Sequence, residues 1–238
     1  MRTVLITGGS RGIGRAMVEL FSKNGYAVAF TYKNSENESK NLAESTGALA
    51  IRADNTSESD ILSAVATAER ELGEIDCLIN NAGISAFSLF TDITLAQWNE
   101  MIATNLTGAF LYSKAVIPGM VSRKYGRIIN ITSMWGLVGS SCEVHYSTVK
   151  SGLIGMTKSL AKELGPSGIT VNAIAPGVIR TDMNGVLSED DISALCDETP
   201  LMRIGEPSEV AEAALFLAGD GASFITGDVL NVSGGYVI

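Results

Sequence analysis

Apolar side chains gather along this chain in seven short runs rich in β-branched residues, at 3–7, 27–32, 48–53, 76–80, 127–132, 170–175 and 229–232. Most are continuous and not alternating, as strands covered on both faces require. Between them, apolar positions recur at helical spacing. Ser57 and Asp60 resemble a capping box ahead of Ile61, Val65, Ala68 and Leu72, and Gly73 stops that segment. Pro207 starts a comparable helix that carries Val210, Ala214 and Leu217 on one side and stops at Gly219. Strands alternating with helices imply right-handed crossovers, so the expected class is α/β: a doubly wound, seven-stranded parallel sheet with helices on both faces.

No repeat, low-complexity tract or linker interrupts the pattern, and the 238 residues are expected to form a single domain. The longest irregular stretch, about 176–206, follows a strand end. Ligands of such sheets bind there, so it is a candidate substrate lid.

Composition removes several function classes. Hydrophobic residues make up 46% and charged residues 18% of the chain. No apolar run approaches the roughly 20 residues that cross a bilayer. The first strand begins almost at once, leaving no room for a secretory signal, so a cytoplasmic location is expected. A formal charge of −9 argues against a nucleic-acid surface. Cys77, Cys142 and Cys196 are widely separated with only His145 nearby, so neither disulfides nor a metal site are expected. His145 adjoins Tyr146 in sequence, but consecutive helical residues point about 100° apart. It is therefore expected at the substrate rim or the surface.

TGGSRGIG at 7–14 joins the first strand to the first helix. Gly8, Gly12 and Gly14 let the backbone turn beneath a pyrophosphate, and the helix start supplies free N–H groups. The place near the end of the second strand where NAD enzymes carry an acid holds Thr31, Tyr32 and Lys33. Lys33 and Arg11 could pair with a 2′-phosphate, which points to NADP(H); the alternative is two solvated cations. Asp54 could meet the adenine edge, and Asn80, Ala82 and Gly83 could line the cofactor, although Asn-Asn-Ala-Gly also suits an ordinary turn.

Tyr146 and Lys150 stand four apart in a helical segment and share one face. A ketone reduced by hydride needs a proton for the developing alkoxide, and a neutral phenol can give it. A nearby ammonium would favour the phenolate, easing the reverse step. Ser133 at the fifth strand's end could hydrogen-bond the carbonyl, and Asn105 could fix a water near Lys150. Exposed Tyr and Lys at this spacing are also commonplace on their own.

Taken together, TGGSRGIG, NNAG at 80–83, Asn105, Ser133, Tyr146 with Lys150, and PG at 176–177 resemble the short-chain dehydrogenase/reductase family over essentially the whole chain. The resemblance implies a Rossmann fold, a catalytic tetrad of Asn105, Ser133, Tyr146 and Lys150, and a homotetramer; helices near 95–124 and 146–165, with small and apolar residues such as Gly152, Gly155 and Met156, could form its contacts or could face the chain's own sheet. It also implies cofactor contacts at Gly8, Ser10, Arg11, Gly12, Ile13, Gly14, Lys33, Asp54, Asn55, Asn81, Ala82, Gly83, Tyr146, Lys150, Pro176, Gly177, Ile179 and Thr181. SRGIGRA, GRIINITS, GITVNAIAPG and ITGDVLNVSGG are most similar to bacterial 3-oxoacyl-(acyl-carrier-protein) reductases. Those use NADPH to reduce a 3-oxoacyl thioester on acyl carrier protein during fatty-acid biosynthesis.

The stretch MWGLVGSSCEVH before Tyr146 departs from their usual Gly-Asn-x-Gly-Gln-x-Asn pattern. Its Trp135, Gly136, Ser141, Cys142 and Glu143 are similar instead to reductases of 5-aminopentanone-modified elongation factor P. Substrate contacts are accordingly expected at Ser133, Trp135, Glu143 and Tyr146, with Glu143 favouring a cationic amine. Ser167 stands where the first group carries a basic docking residue, leaving Lys124 and Arg127 as a small positive patch for an acidic carrier. A non-catalytic dinucleotide sensor of the same fold is the alternative from outside enzymology.

Overall fold

Four-residue strands cannot persist alone, so the order in which they pair decides where every loop falls. The computed structural model describes residues 1–182 and 188–238. In it β1 (Thr3–Ile6), β2 (Ala27–Tyr32), β3 (Leu49–Arg52), β4 (Cys77–Asn80), β5 (Gly126–Ile131), β6 (Ile169–Pro176) and β7 (Val229–Val232) form one sheet. The order is β3-β2-β1-β4-β5-β6-β7, and every neighbouring pair is parallel. The seven expected runs are the seven strands, none displaced by more than one residue at either end.

Helices fill the crossovers: α1 (Gly12–Lys23), α2 (Glu36–Thr46), α3 (Glu58–Leu72), α4 (Leu95–Ile102), α5 (Gly108–Arg123), α6 (Trp135–Val138), α7 (Val144–Leu164), α8 (Glu189–Glu198) and α9 (Pro207–Ala218). Strand side chains alternate between two cores. Val4 and Ile6 join Met17 and Phe21 of α1 and Val210 and Ala214 of α9 on one face. Leu5 joins Ile61 of α3, Tyr112 of α5 and Leu164 of α7 on the other. Both faces are covered, which is why the runs are unbroken. Truncating the wholly buried Leu5 to alanine would cost about 2–5 kcal/mol. No helix among the described residues is long and apolar enough to cross a membrane.

The helical stretch expected near 95–124 is interrupted. α4 opens with a capping box between Thr94 and Gln97, and a π turn over Ala103–Thr107 separates it from α5. Asn105 Nδ2 donates to the carbonyls of Met101 (3.1 Å) and Ile84 (3.2 Å). A side chain competing for the helix's own carbonyls accompanies this widened turn.

One part of the core is polar. Asn80 and Asn130 are register partners across β4 and β5. Asn80 Nδ2 donates to Asn130 Oδ1 (2.9 Å) and Ser113 Oγ (3.1 Å), and Asn130 Nδ2 donates to Thr157 Oγ1 (2.8 Å). All four side chains are buried, joining α5, both strands and α7. Asn80 therefore points into the core and does not line the cofactor cleft as expected.

Of the candidate lid at 176–206, residues 183–187 lie outside the described residues. The remainder carries α8, opened by a capping box between Ser188 and Asp191, and returns to the sheet where Ile179 bridges to Gly205.

Candidate active site

Connections leave β1 and β4 on opposite sides of the sheet, which opens a crevice at their carboxyl ends. Two loops floor it. Thr7 Oγ1 accepts from the N–H groups of Asn81 and Ala82, both at 3.0 Å, while Asn81 Nδ2 donates to the carbonyls of Thr7 (2.9 Å) and Gly8 (3.1 Å). The contact leaves no room for side chains. A Cβ on Gly8 would lie 2.9 Å from Ala82 Cα, and one on Gly14 2.2 Å from the Gly8 carbonyl oxygen.

Ser57, Thr94 and Ser188 cap α3, α4 and α8 with their hydroxyls. α1 begins with no side-chain cap and no acid in its first turn. Its leading N–H groups and the positive end of its dipole are left for an outside anion. Gly8, Ser10, Gly12, Ile13 and Gly14 would hold a dinucleotide pyrophosphate here. Thr181 closes beside them, its Cγ2 3.2 Å from where a Cβ on Gly12 would stand. Pro176 and Gly177 border the same crevice at the end of β6, where the Met134 N–H donates to Pro176 O at 2.9 Å. Ile179 is different: its side chain belongs to the core packed with α1 and α9, so only its backbone can border a ligand.

Charge at the ends of β2 and β3 departs from the expectation. Lys33 Nζ lies 2.7 Å from Asp54 Oδ2, and Asp54 Oδ1 accepts from Thr56 N–H (2.9 Å) and Oγ1 (2.8 Å). Burial pulls the Asp54 carboxyl upward, but the Lys33 ammonium and the Thr56 donors outweigh it and hold it below the usual range. Lys33 and Asp54 therefore offset one another's charge where the sequence reading treated them as separate ligands. Arg11 is exposed and has no ion-pair partner among the described residues. A hollow of about 530 Å³ beside the pair is also lined by Arg52, a cation that sequence reasoning missed. Its place near the end of the third β-rich run, two residues before Asp54, was the signal that could have found it. Asn55 turns inward, its Nδ2 3.4 Å from Thr104 O.

The reacting groups meet where α7 passes β5. Thr132 Oγ1 donates to Lys150 O (2.7 Å), and Ser151 Oγ donates to Gly136 O (2.8 Å). A Cβ on Gly136 would come 2.9 Å from the Lys150 carbonyl carbon, so loop and helix touch backbone to backbone. Ser133 Oγ accepts the Trp135 backbone N–H at 3.2 Å and stands by the Tyr146 phenol, where its hydroxyl opposes the rise that burial imposes. Lys150 Nζ donates to Ile131 O at 2.9 Å and lies 5.5 Å from the centre of the Tyr146 ring. A Cβ on Gly83 would stand 2.5 Å from Asn105 Oδ1 and 3.4 Å from Lys150 Nζ. Ser133, Tyr146, Lys150, Asn105 and the cofactor loop thus converge. The Asn105 side chain is spent on backbone, its Oδ1 accepting the Ile84 N–H at 3.2 Å.

Burial reverses the expected electrostatics. It pushes the Tyr146 phenol up to about 12, with Glu143 adding to the rise and the Ser133 hydrogen bond opposing it. It also brings Lys150 down to about 8. The phenol is neutral at ordinary pH, which suits giving a proton to an alkoxide.

Around this centre the structure places three further residues, and two of them, His145 and Arg127, correct the sequence reading. Glu143 is buried, with a single 3.3 Å bond from Ser140 Oγ to its Oε2, and burial raises its carboxyl. His145 is neither rim nor surface: it is buried, and neither ring nitrogen has a hydrogen-bond partner. Arg127 is buried beneath Tyr125, 4.6 Å from its ring centre. With Lys124 it stands where β5 begins, some 17–20 Å along the strand from Ser133 at ~3.3 Å per residue. Burial removes Arg127 from the expected positive patch for an acidic carrier, and Lys124 alone of the two is exposed. Trp135 does border the centre, half-buried and edge-on to Tyr236.

A family model described as enoyl-(acyl carrier protein) reductase matches residues 8–237. The chain is 42% identical over 236 residues to a 3-oxoacyl-(acyl-carrier-protein) reductase of Salmonella typhimurium, covering 98% of this chain and 96% of that one. A 3-oxoacyl-(acyl-carrier-protein) reductase of Aquifex aeolicus is 42% identical over 236 residues, covering 97% and 95%. Acetoacetyl-CoA reductase of Rhizobium meliloti is 41% identical over 235 residues, covering 98% of both chains.

Proposed function

This chain belongs to the short-chain dehydrogenase/reductase family and is an oxidoreductase of nicotinamide dinucleotides; from that premise we propose that it uses NADPH to reduce the ketone of a 3-oxoacyl thioester, borne on acyl carrier protein, to the 3-hydroxyacyl form. The observation that carries this reading is the convergence of Ser133, Tyr146, Lys150 and Asn105 at Gly83. The bound cofactor supplies hydride. Ser133 Oγ holds the substrate carbonyl, Tyr146 Oη transfers its proton to the oxygen as it becomes an alkoxide, and the Lys150 ammonium stabilises the phenolate left behind. Asn105 holds the widened turn against Gly83 and so keeps Lys150 in place. Arg11, with no ion-pair partner among the described residues, supports NADPH over NADH. The relatives that reduce 3-oxoacyl carrier protein and acetoacetyl-CoA support the thioester class.

A second reading rests on Glu143. A buried carboxyl next to the reacting phenol suits a substrate that brings its own cation. An ammonium-bearing ketone, such as an aminopentanone group on elongation factor P, would supply it. Turnover of acetoacetyl-carrier protein and of the aminopentanone-modified factor, measured side by side with NADPH, tests both. Faster reduction of the modified factor would replace the first reading by the second, and no turnover of either would sink both.

A further inference from the structure

The last residues of the chain are pinned in two places. Gly234 and Gly235 have positive φ, +65° and +88°, and lie against the stretch that follows α8. A Cβ on Gly234 would stand 2.8 Å from Thr199 Cγ2, and one on Gly235 3.0 Å from Pro200 Cγ. The Leu201 N–H donates to Gly234 O at 3.1 Å, and the Tyr236 N–H to Ser233 O at 3.2 Å. This turn delivers Tyr236 between two other elements. Its ring meets Trp135 edge to face, with centroids 5.7 Å apart and planes at 88°. Its hydroxyl donates to the carboxylate of Glu198, the last residue of α8, a charge-assisted bond. The backbone N–H of Trp135 in turn donates to Ser133 Oγ at 3.2 Å, so the residue that carries the indole is itself tied to the carbonyl site.

We infer that Tyr236 is a positioning residue for the carbonyl site: its ring and hydroxyl hold the Trp135 indole and the end of α8 in fixed relation to Ser133. The substrate part it acts on is the chain extending from the reacting carbonyl past Trp135. Its kinetic consequence rests on the carbonyl-reductase reading above; its mechanical consequence does not.

Tyr236→Phe keeps the ring and removes the hydroxyl, and Glu198→Gln keeps the shape and removes the charge. The chain has two tryptophans, so in a Trp98→Phe background all indole emission comes from Trp135. Each variant is expected to lower the anisotropy of that emission and move it to the red. With acetoacetyl thioester as substrate, KM should rise about three- to tenfold while kcat stays within about twofold. NADPH binding measured by titration should not change. Combining the two variants should do no more than the worse one alone, because both act on the same bond, one removing its donor and the other weakening its acceptor. Unchanged anisotropy in both variants, or KM losses that add in the double variant, would overturn the inference. So would a lowered melting temperature with KM intact, which would leave Tyr236 a general stabiliser. Should Tyr236→Phe fail to fold, Glu198→Gln, altering an exposed side chain, carries the test alone.

Discussion

In the cradle formed by 7–14 and 80–83, the side chains of Thr7 and Asn81 are spent on partners inside the protein, whereas around Tyr146 several buried side chains are left short of them. Glu143 has one weak hydroxyl partner, His145 has none, and the Lys150 ammonium has one carbonyl. The cradle works through shape: glycines held against backbone, and a helix start with its N–H groups unclaimed. The reacting centre works through groups that burial has moved off their ordinary pKa values. A ligand completes the first by filling a fixed space and the second by meeting unmatched chemistry.

The sharpest separation of the two regions is Tyr146→Phe. Turnover should fall about 1000-fold, within the range typical of a lost general acid, while NADPH binds within about twofold of the parent in a fluorescence titration. Undiminished turnover would remove Tyr146 from the mechanism. Gly14→Ala attacks the other region. With backbone 2.2 Å from the new Cβ, NADPH affinity should weaken by about 30-fold or more, equivalent to about 2 kcal/mol. Calorimetric titration reads this directly.

The third test uses pH. Lys150 is charged below about 8 and loses its proton as pH rises through that value, while Tyr146 stays protonated to about 12. Reductive kcat/KM should therefore be flat below 8 and fall about tenfold per unit above it, with no second break before pH 10. Lys150→Arg, charged throughout, should remove that fall even though it lowers the plateau. The smallest effects concern the cofactor's far end. Arg11→Ala should weaken NADPH about tenfold and leave NADH unchanged, while Lys33→Ala, already offset by Asp54, should change NADPH affinity less than threefold. The reverse ranking would mean that the ion pair opens to receive the phosphate.

The chain announced its fold plainly because each strand is a local signal: β-branched runs of the right length, punctuated by Gly73, Gly219 and the cap at Ser57. The reacting residues were legible for the same reason, since Tyr146 and Lys150 need only helical periodicity to share a face. What could not be read locally was pairing across the sheet. Lys33 and Asp54 belong to different crossovers, and nothing in either segment says that they meet. Arg127 looked available because it follows Arg123 and Lys124, but it is buried beneath the Tyr125 ring, which no local pattern announces. His145 followed the helical-wheel argument correctly away from Tyr146, yet that argument cannot say whether the other direction is water or core. The π turn at Asn105 was hidden because it depends on Ile84, 21 residues earlier.

The buried amides of Asn80 and Asn130 bear on how so uniform a sheet assembles at all. Unbroken apolar runs offer many nearly equivalent alignments, and a slip of one residue exchanges the two faces of a strand. Sliding β4 along β5 by a single position would carry one amide away from the other and strand its donors among isoleucines, at about 1–3 kcal/mol for each unmet group. The four side chains from Asn80 to Thr157 thus behave like a notch in an otherwise smooth key. They admit one alignment during folding and penalise the neighbouring ones, and swapping them for apolar residues of equal size should yield a chain that still collapses but no longer settles on one pairing.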